Sequence, residues 1–254
     1  MPEPLIVVRN LSVAYGNHHA LQTVSGSFQA GSLTAVAGPN GSGKSTLLKT
    51  LAGVIRPTSG DITFAQGQKP KIAYLPQIAH MQRDFPITVE EVVLTGFYPD
   101  CGETGAMTHE HHRLARSALN DVGLRGYETR AIVGLSGGEF QRMLFARVIV
   151  QDASVILLDE PFTAVDAETT ARLIRLLLKW HKESRTVICV LHDLLLIKKY
   201  FPESMVLQGK CLGIGHTHKM FEKKLLSFDL DMAELYPPDD TSTSHHAHSH
   251  HHDH

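Results

Sequence analysis

A short glycine-rich segment constrains the fold of this chain more than any other feature. It runs from Gly38 to Thr46 and reads Gly-Pro-Asn-Gly-Ser-Gly-Lys-Ser-Thr. The apolar residues 33–37 before it predict a buried strand, and the apolar side chains within residues 47–52 have the spacing of one helix face. A strand, a glycine loop and a helix in this order form the context in which the pattern binds phosphate. The simpler interpretation is a glycine-rich turn that precedes a helix.

The residue types of the segment suit a phosphate. Glycines allow the loop to curl until successive backbone N–H groups converge on one anion, and the positive end of the new helix lies behind them. We expect Lys44 to reach the β- and γ-phosphates, Ser45 to ligate magnesium and Thr46 to contact the inner phosphate. The candidate phosphate-binding residues are Gly38, Pro39, Asn40, Gly41, Ser42, Gly43, Lys44, Ser45 and Thr46.

A second constraint is an apolar strand that ends in two acids. Residues 155–158 read Val-Ile-Leu-Leu, which is typical of a central parallel strand buried on both faces, and Asp159 and Glu160 follow directly. Ligands bind at the carboxyl ends of strands in open α/β sheets. We therefore expect Asp159 to hold magnesium and Glu160 to polarise an attacking water as general base. The alternative is a core strand that ends in exposed acids.

A third motif, Leu-Ser-Gly-Gly-Glu at residues 135–139, precedes a long helical stretch. Ser136, Gly137 and Gly138 are placed at the helix start, where backbone N–H groups make a second anion site. Only the first of the two anion sites has a lysine. This arrangement suits a head-to-tail pair of chains, in which each ATP lies between the loop of one copy and Ser136 of the other.

Together these motifs resemble the ATP-binding cassette ATPases, over about residues 5–215. The resemblance implies an α/β fold of the phosphate-loop NTPase (RecA-like) type. Its parts are a parallel-sheet core, an N-terminal antiparallel β subdomain and an inserted α-helical subdomain at about residues 78–150. It also implies an active ATPase that uses ATP and Mg2+. We expect residues 1–236 to form the cassette and residues 237–254 a disordered His-rich tail.

The resemblance assigns roles to further residues, in the expected chain order. Tyr15 matches the aromatic platform for adenine, and Gln77 the glutamine that contacts magnesium and joins the core to the helical subdomain. Asp166 matches the aspartate that communicates across the dimer, and His192 the histidine that contacts the γ-phosphate. Glu139 stands where many members have glutamine, which removes no group needed for chemistry. The alternatives are a tyrosine in an edge strand and a structural histidine after a buried strand.

The predicted mechanism follows from the placement of charge. Phosphoryl transfer to water needs an aligned nucleophile and stabilisation of the charge on the γ-phosphate oxygens. The predicted catalytic residues are Lys44, Gln77, Glu160 and His192, and the predicted magnesium ligands are Ser45, Gln77 and Asp159. The partner copy would contribute Ser136, Gly137, Gly138 and Glu139, so we expect a homodimer in the ATP-bound state.

Composition limits the class of protein. A chain of 254 residues with 43% hydrophobic content can bury one substantial core with subdomains. The net charge of −2 and the pI near 6.8 provide no basic field for nucleic acid, and we expect no nucleic-acid partner. Scattered cysteines suggest a reducing compartment. We find no signal-peptide pattern and no apolar run of about 20 residues, and so expect a cytoplasmic protein.

The segment between the phosphate loop and Asp159 indicates the kind of transport. Residues 85–93, Phe-Pro-Ile-Thr-Val-Glu-Glu-Val-Val, look most like the cassettes of zinc and manganese importers, although importers of iron chelates share much of this run. Thr88 and Glu91 have the spacing of a helix capping box. The resemblance implies an integral membrane permease and an extracytoplasmic metal-binding protein as partners. It places the chain peripherally on the cytoplasmic face of the inner membrane.

The last eleven residues are rich in histidine, which cannot build a core. Neutral imidazoles are good zinc ligands, whereas manganese prefers oxygen. Three interpretations stay open: a zinc buffer, acceptor or inhibitory sensor; a solvated tail that binds metal adventitiously; and a cloning tag. The candidate zinc ligands are His245, His246, His248, His250, His251, His252 and His254.

Two other function classes fit the sequence less well. A soluble GTPase for metal insertion would need an Asn-Lys-x-Asp sequence, which is absent, and would not carry residues 135–139. A cassette that acts on DNA or ribosomes normally has a coiled coil or two sets of motifs, and this chain has one set. The sequence therefore predicts the ATPase subunit of a metal-ion importer, with zinc favoured and manganese or an iron chelate as alternatives.

Overall fold

The structure is a computed structural model that describes residues 4–77, 84–101, 105–163 and 165–227. The tail histidines lie outside these residues. The strands are β1 (Ile6–Tyr15), β2 (His18–Phe28), β3 (Leu33–Ala37), β4 (Ser59–Phe64), β5 (Ile72–Leu75), β6 (Val155–Asp159), β7 (Thr186–Val190), β8 (Glu203–Gln208) and β9 (Lys210–His216). The α-helices are α1 (Lys44–Ala52), α2 (Val89–Leu94), α3 (Tyr98–Cys101), α4 (His109–Asp121), α5 (Gly137–Gln151), α6 (Ala167–Lys182), α7 (Leu194–Tyr200) and α8 (Thr217–Glu222).

The larger sheet has the strand order β5-β6-β7-β3-β8-β9, parallel except for β9, which pairs antiparallel with β8. Its central strands are buried along their whole length because both faces are covered. On β6, Val155 and Leu157 face one core while Ile156 and Leu158 face the other. This alternation confirms the central parallel strand that the apolar run predicts.

The N-terminal strands form a separate antiparallel sheet in the order β2-β1-β4. Its inward side chains, such as Ile6, Val8 and Leu11, pack with Leu47 and Leu51 of α1 in one core cluster. The N-terminal antiparallel β subdomain is therefore confirmed. β1 is the middle strand of this sheet, so Tyr15 at its end does not belong to an edge strand.

Helices α2 to α5 lie between β5 and β6 in the chain, where the inserted helical subdomain was predicted. Val93 of α2, Leu119 of α4 and Leu144 of α5 share one core cluster with the second face of the large sheet. The Thr88 hydroxyl accepts from the Glu91 N–H and the Glu91 carboxylate accepts from the Thr88 N–H, which confirms the predicted capping box at the start of α2. The limits of 78–150 for this subdomain stay a prediction.

The sheet order places the predicted motifs side by side. β5, β6, β7 and β3 are consecutive neighbours, and parallel strands end at the same edge of a sheet. Gln77, Asp159, His192 and the glycine loop each follow or end one of these strands. The fold thus brings together residues that are up to 154 positions apart (His192 and Gly38) in the chain. Among the helices of the described residues, none is long and apolar enough to span a bilayer.

Candidate active site

The glycine loop between β3 and α1 has a backbone that side chains would not allow. Gly38 has φ of 148°, and a Cβ atom there would lie 1.9 Å from the Leu207 carbonyl oxygen. Gly43 has φ of 94°, and its Cβ would lie 2.4 Å from the Ala20 carbonyl oxygen. Both contacts are far inside van der Waals distance, so glycine is required at each position. The loop is therefore a tight backbone curl packed against β2 and β8.

Lys44, the first residue of α1, is buried and bends back over this loop. Its ammonium donates hydrogen bonds of 2.8 Å to the carbonyl oxygens of Gly38 and Pro39. The cation is thus held where the loop closes, beside the positive end of the helix. A polyphosphate in the curl would meet both the ammonium and the N–H groups at the start of α1.

Asp159 lies behind the start of α1 and is 1% exposed. Its Oδ1 accepts a hydrogen bond of 2.9 Å from the Ser45 hydroxyl, whereas its Oδ2 is buried and has no hydrogen-bond partner among the described residues. Burial raises the pKa of the Asp159 carboxyl, and the Glu160 charge adds to this, while the hydrogen bond from Ser45 and the charges of Lys49 and Lys44 oppose it. A bound cation would supply the missing compensation for this charge.

Glu160 lies at the centre of the site. Gln77 Nε2 donates a 2.7 Å hydrogen bond to Glu160 Oε2, and a ring nitrogen of His192, Nε2, lies 2.5 Å from Glu160 Oε1. The backbone of Glu160 has φ of 50°, which is unusual for a residue other than glycine and is typical of functional sites. The structure therefore brings together three of the four residues that sequence reasoning assigned to catalysis, and they come from three separate loops.

A cleft of about 960 Å3 joins these groups. The glycine loop forms one wall, Glu160, His192 and Gln77 line the γ-phosphate end predicted from the sequence, and half-exposed Tyr15 lies at its rim. The volume is within the usual range for small-molecule and cofactor pockets. The aromatic ring, the anion-binding loop and the acid–base cluster are thus combined in one site.

Some lining residues of the cleft carried no signal in the sequence. Leu212 of β9 and the segment 225–227 after α8 form its apolar side, and His18 lies next to Tyr15. None of them belongs to a motif. Leu212 and residues 225–227 reach the cleft because β9 pairs with β8 in the large sheet, whereas His18 reaches it because β2 pairs with β1 at Tyr15. Hydrophobic patterning could identify Leu226 as a core residue, but it could not show which site that core supports.

Ser136, Gly137 and Gly138 form the start of α5, as predicted. The Ser136 hydroxyl accepts from the Glu139 N–H at 3.3 Å, and the Glu139 carboxylate accepts from the Ser136 N–H at 2.8 Å. Tyr127 also donates a hydrogen bond of 2.8 Å to Glu139. The residue that departs from the common family pattern therefore completes a capping box, a role that the Ser-x-x-Glu spacing of the motif could have indicated.

Asp166 caps the start of α6 by accepting hydrogen bonds of 2.8 Å from both the N–H and the hydroxyl of Thr169. A Cβ atom on Gly138 would lie 3.8 Å from the Asp166 carboxylate, so the α5 and α6 starts are neighbours. Among the described residues that line the 960 Å3 cleft, none comes from these two helix starts. A single copy of the chain therefore presents two separate sets of candidate residues.

Within the described ranges, the histidines, cysteines and acids do not form a group of three or more that could hold a metal ion. His109, His111 and His112 lie on α4, where His112 pairs with Glu90 and His111 stacks on Phe97. Each of these two histidines thus has a structural contact within the helical subdomain.

Comparison with known proteins agrees with this geometry. The sequence model of the ABC transporter family matches residues 21–163. The manganese transport system ATP-binding protein MntB of Listeria monocytogenes is 36% identical over 225 residues, which cover 87% of this chain and 94% of that protein. The zinc transport system ATP-binding protein TroB of Treponema pallidum is 34% identical and covers 86% and 84% of the two chains.

A solved structure gives the same result. The dimeric structure of a bacterial ABC transporter cassette aligns with a TM-score of 0.74 and 26% identity, covering 84% of this chain and 99% of that one. The fold, the cleft and these similarities define a phosphate-loop ATPase. The chain belongs to the ABC transporter family, as its ATP-hydrolysing cassette.

Proposed function

We propose that this chain is the ATP-hydrolysing subunit of a metal-ion importer and that zinc is the transported ion. The observation that carries the ATPase part is the convergence of Lys44, Asp159, Glu160 and His192 on one cleft. Support for metal transport comes from relatives that belong to manganese and zinc transport systems. Manganese is the second candidate, because the manganese-system relatives are at least as similar as the zinc-system one.

The residues behind α1 fit a magnesium ion. Mg2+ prefers oxygen ligands and is usually held by one or two protein groups together with substrate phosphates and water. Asp159 offers a buried carboxylate oxygen without a hydrogen-bond partner, and the Ser45 hydroxyl lies 2.9 Å from the other oxygen. Gln77 supplies a side-chain amide at the same edge of the sheet. When bound there, the ion would neutralise charge on the phosphates.

Glu160 is suited to the role of general base. Its carboxylate faces the cleft and is oriented by Gln77 on one oxygen and by His192 on the other. It can accept a proton from a water that attacks the γ-phosphate, while Lys44 and His192 stabilise the charge on the transferred group. Tyr15 would stack on adenine, a contact that contributes on the order of 1–3 kcal/mol for nucleobases.

Ser136 and Asp166 act, in this proposal, on the ATP of a second copy. They lie together and outside the cleft of their own chain. In a head-to-tail dimer, the α5 start would face the γ-phosphate on the partner's glycine loop. ATP would then clamp two copies together, and the closure would drive an integral membrane permease. The chain would lie on the cytoplasmic face of the inner membrane, and an extracytoplasmic protein would deliver the metal.

The transported ion is tested by removing the gene from the source organism and measuring cellular zinc and manganese by mass spectrometry under metal limitation. We expect zinc to fall and to recover with the parental gene but not with Glu160→Gln, which keeps the fold and loses the base. A fall in manganese with unchanged zinc would replace zinc by manganese. Unchanged levels of both metals would refute the proposed metal import.

The histidine tail is proposed to bind zinc in the cytoplasm as a buffer, acceptor or inhibitory sensor. The support is its composition, because imidazole is a preferred zinc ligand and a poor manganese ligand. Zinc and manganese are titrated into the full chain and into a version that ends at Pro238. Tighter zinc binding by the full chain, with no difference for manganese, is expected. Equal zinc affinity of the two versions would refute this role.

A further inference from the structure

Tyr74 lies on β5 next to the buried end of β6, three residues before Gln77. Its register partner is Leu157, two residues before Asp159. Side chains alternate along a strand, so Leu157 and Asp159 point to the same face of the sheet. That face packs against α1, where Tyr74 and Leu157 share a core cluster with Leu47. The Tyr74 phenol and the Asp159 carboxylate are therefore on the same side of neighbouring strands, beneath the start of α1.

On this face of the sheet, two buried polar atoms lack a direct hydrogen bond within the described part of the chain. The Tyr74 hydroxyl oxygen and Asp159 Oδ2 are both buried, and neither has a hydrogen-bond partner among the described residues. Leaving a buried polar group unpaired costs roughly 1–3 kcal/mol. In native proteins, buried polar atoms without a partner in the chain usually bind an ordered water. The two atoms also have complementary chemistry, since a phenol can donate and a carboxylate can only accept.

The Tyr74 phenol can donate to this carboxylate. A phenol has an ordinary pKa of about 10 and therefore carries its proton at neutral pH. Asp159 lies within interaction range of the Tyr74 hydroxyl. A small shift of either side chain, or a single bridging water, would complete the contact between the hydroxyl and Asp159 Oδ2.

We propose that Tyr74 is a positioning residue for the magnesium site, whose hydroxyl donates to Asp159 Oδ2 directly or through one water. A carboxylate oxygen has two lone pairs, so this contact leaves Asp159 Oδ2 able to face the ion or its water shell as well. Ser45 already fixes Oδ1, so a second contact on Oδ2 would define the orientation of the whole carboxylate. Removal of a group that orients a metal ligand typically lowers metal affinity about 10- to 100-fold. Ser45 still holds Asp159 Oδ1, so we expect the loss of the Tyr74 hydroxyl alone to have an effect at or below the lower end of that range. The inference rests on the proposed role of Asp159 as the residue that holds magnesium.

The test measures divalent-metal affinity directly and does not depend on turnover. Mn2+, which shares the oxygen-ligand preference of Mg2+, is titrated into the full chain with a non-hydrolysable ATP analogue and followed by electron paramagnetic resonance. Tyr74→Phe removes only the hydroxyl, and we expect Mn2+ affinity to fall about 3- to 10-fold. Tyr98→Phe is the matched control, because Tyr98 is partly exposed on α3 and should leave Mn2+ affinity unchanged.

Binding of the analogue in EDTA separates a metal effect from distortion of the cleft. We expect Tyr74→Phe to bind the analogue without metal as the parent does. Loss of metal-free binding by the same factor would indicate general distortion and would overturn the proposal. Unchanged Mn2+ affinity in Tyr74→Phe, with Asp159→Asn strongly impaired, would also overturn it while the magnesium assignment stands. Unchanged Mn2+ affinity in Asp159→Asn would instead refute the magnesium assignment itself.

Discussion

Two helices of this molecule begin at glycine-rich anion sites, and the two starts are built differently. α1 begins after Gly43, which has left-handed backbone geometry, gives no side-chain cap and is followed by no acid in the first turn. α5 begins after Ser136, whose hydroxyl and backbone N–H both exchange hydrogen bonds with Glu139. The α1 start therefore has no side chain that competes with an anion for its first N–H groups, whereas the α5 start is stabilised by its own residues.

The difference suggests a division of labour within the proposed dimer. An uncapped helix start with a lysine is suited to hold a phosphate tightly in a single chain. In a helix start with an intact capping box, the side-chain hydrogen bonds already contribute about 1 kcal/mol of stability. An anion that binds there therefore adds less stabilisation than it would at an uncapped start. Weaker binding suits a surface that must meet and release the partner's nucleotide in each cycle.

Glu160→Gln should produce the largest change, because it removes the proposed base and leaves both helix starts intact. We expect ATP turnover, measured as phosphate release, to fall by roughly 10²–10⁴. Size-exclusion chromatography with MgATP should show accumulation of a dimer. Turnover at the parental rate would rule out Glu160 as the base. A chain that stays monomeric with bound ATP would contradict the idea that the two helix starts share one nucleotide.

Lys44→Ala and Ser136→Ala should have different effects on ATP binding by a single chain, because the two residues belong to different helix starts. Charge-assisted hydrogen bonds contribute about 1.5–3 kcal/mol, so Lys44→Ala should weaken ATP binding by a single chain about 10- to 100-fold. Ser136→Ala should leave that affinity unchanged and reduce turnover, because Ser136 lies outside the cleft of its own chain. Titration of a fluorescent ATP analogue at concentrations that keep the chain monomeric measures both affinities. Equal losses in the two variants would place Ser136 in the site of its own chain.

Gly43→Ala and Gly138→Ala test whether the two helix starts also differ in how an added methyl group changes the stability of the fold. A Cβ on Gly43 would meet the Ala20 carbonyl oxygen at 2.4 Å with φ of 94°, and such strain costs on the order of 1–3 kcal/mol. The nearest atom to a Cβ on Gly138 is 3.8 Å away, and alanine is favoured over glycine in a helix. Thermal unfolding should therefore show a lower melting temperature only for Gly43→Ala.

Gly138→Ala should nevertheless turn over ATP more slowly, since its methyl group would lie on the surface that meets the partner's phosphate. ATP binding by a single chain is the internal control and should match the parent. Parental turnover in Gly138→Ala would remove the α5 start from the nucleotide interface. Destabilisation comparable to that of Gly43→Ala would show that the two helix starts are equally strained.

The sequence was sufficient to predict elements whose signals are local. Residues 33–52 carried their strand, loop and helix in one uninterrupted pattern, and the adjacency of Asp159 and Glu160 followed from a single apolar strand. Parallel strands end at one edge, so the meeting of Gln77, Glu160 and His192 could also be expected once the resemblance was recognised. Their catalytic roles stay predictions.

Features that depend on tertiary packing could not be predicted. Leu212 and the segment 225–227 line the cleft because β9 pairs antiparallel with β8 at the end of the sheet, an arrangement with no local signature. The unpaired Tyr74 hydroxyl is visible only when β5 is seen beside β6. Gln141, inside α5, donates a 2.7 Å hydrogen bond to the Pro161 carbonyl oxygen next to Glu160, which the motif gave no reason to expect.

Glu139→Gln should have the smallest effect and tests whether charge contributes to the cap of α5. The Ser136 N–H, and then the Tyr127 hydroxyl, donate to the Glu139 carboxylate and lower its pKa below the ordinary value. A lowered folded-state pKa stabilises the fold above the unfolded value of about 4.3, and this stabilisation is lost as the pH falls through the folded value.

Parent and Glu139→Gln should therefore differ in free energy of unfolding at pH 7 and converge on acidification below about pH 4, as measured by urea denaturation at each pH. Glu139 is only partly buried, so solvent screening should keep the difference below about 0.5 kcal/mol. A difference that stays constant from pH 7 to 3.5 would mean that the charge of Glu139 contributes nothing. The hydrogen bonds of the capping box, and not the charge of Glu139, would then distinguish the α5 start from the uncapped start of α1.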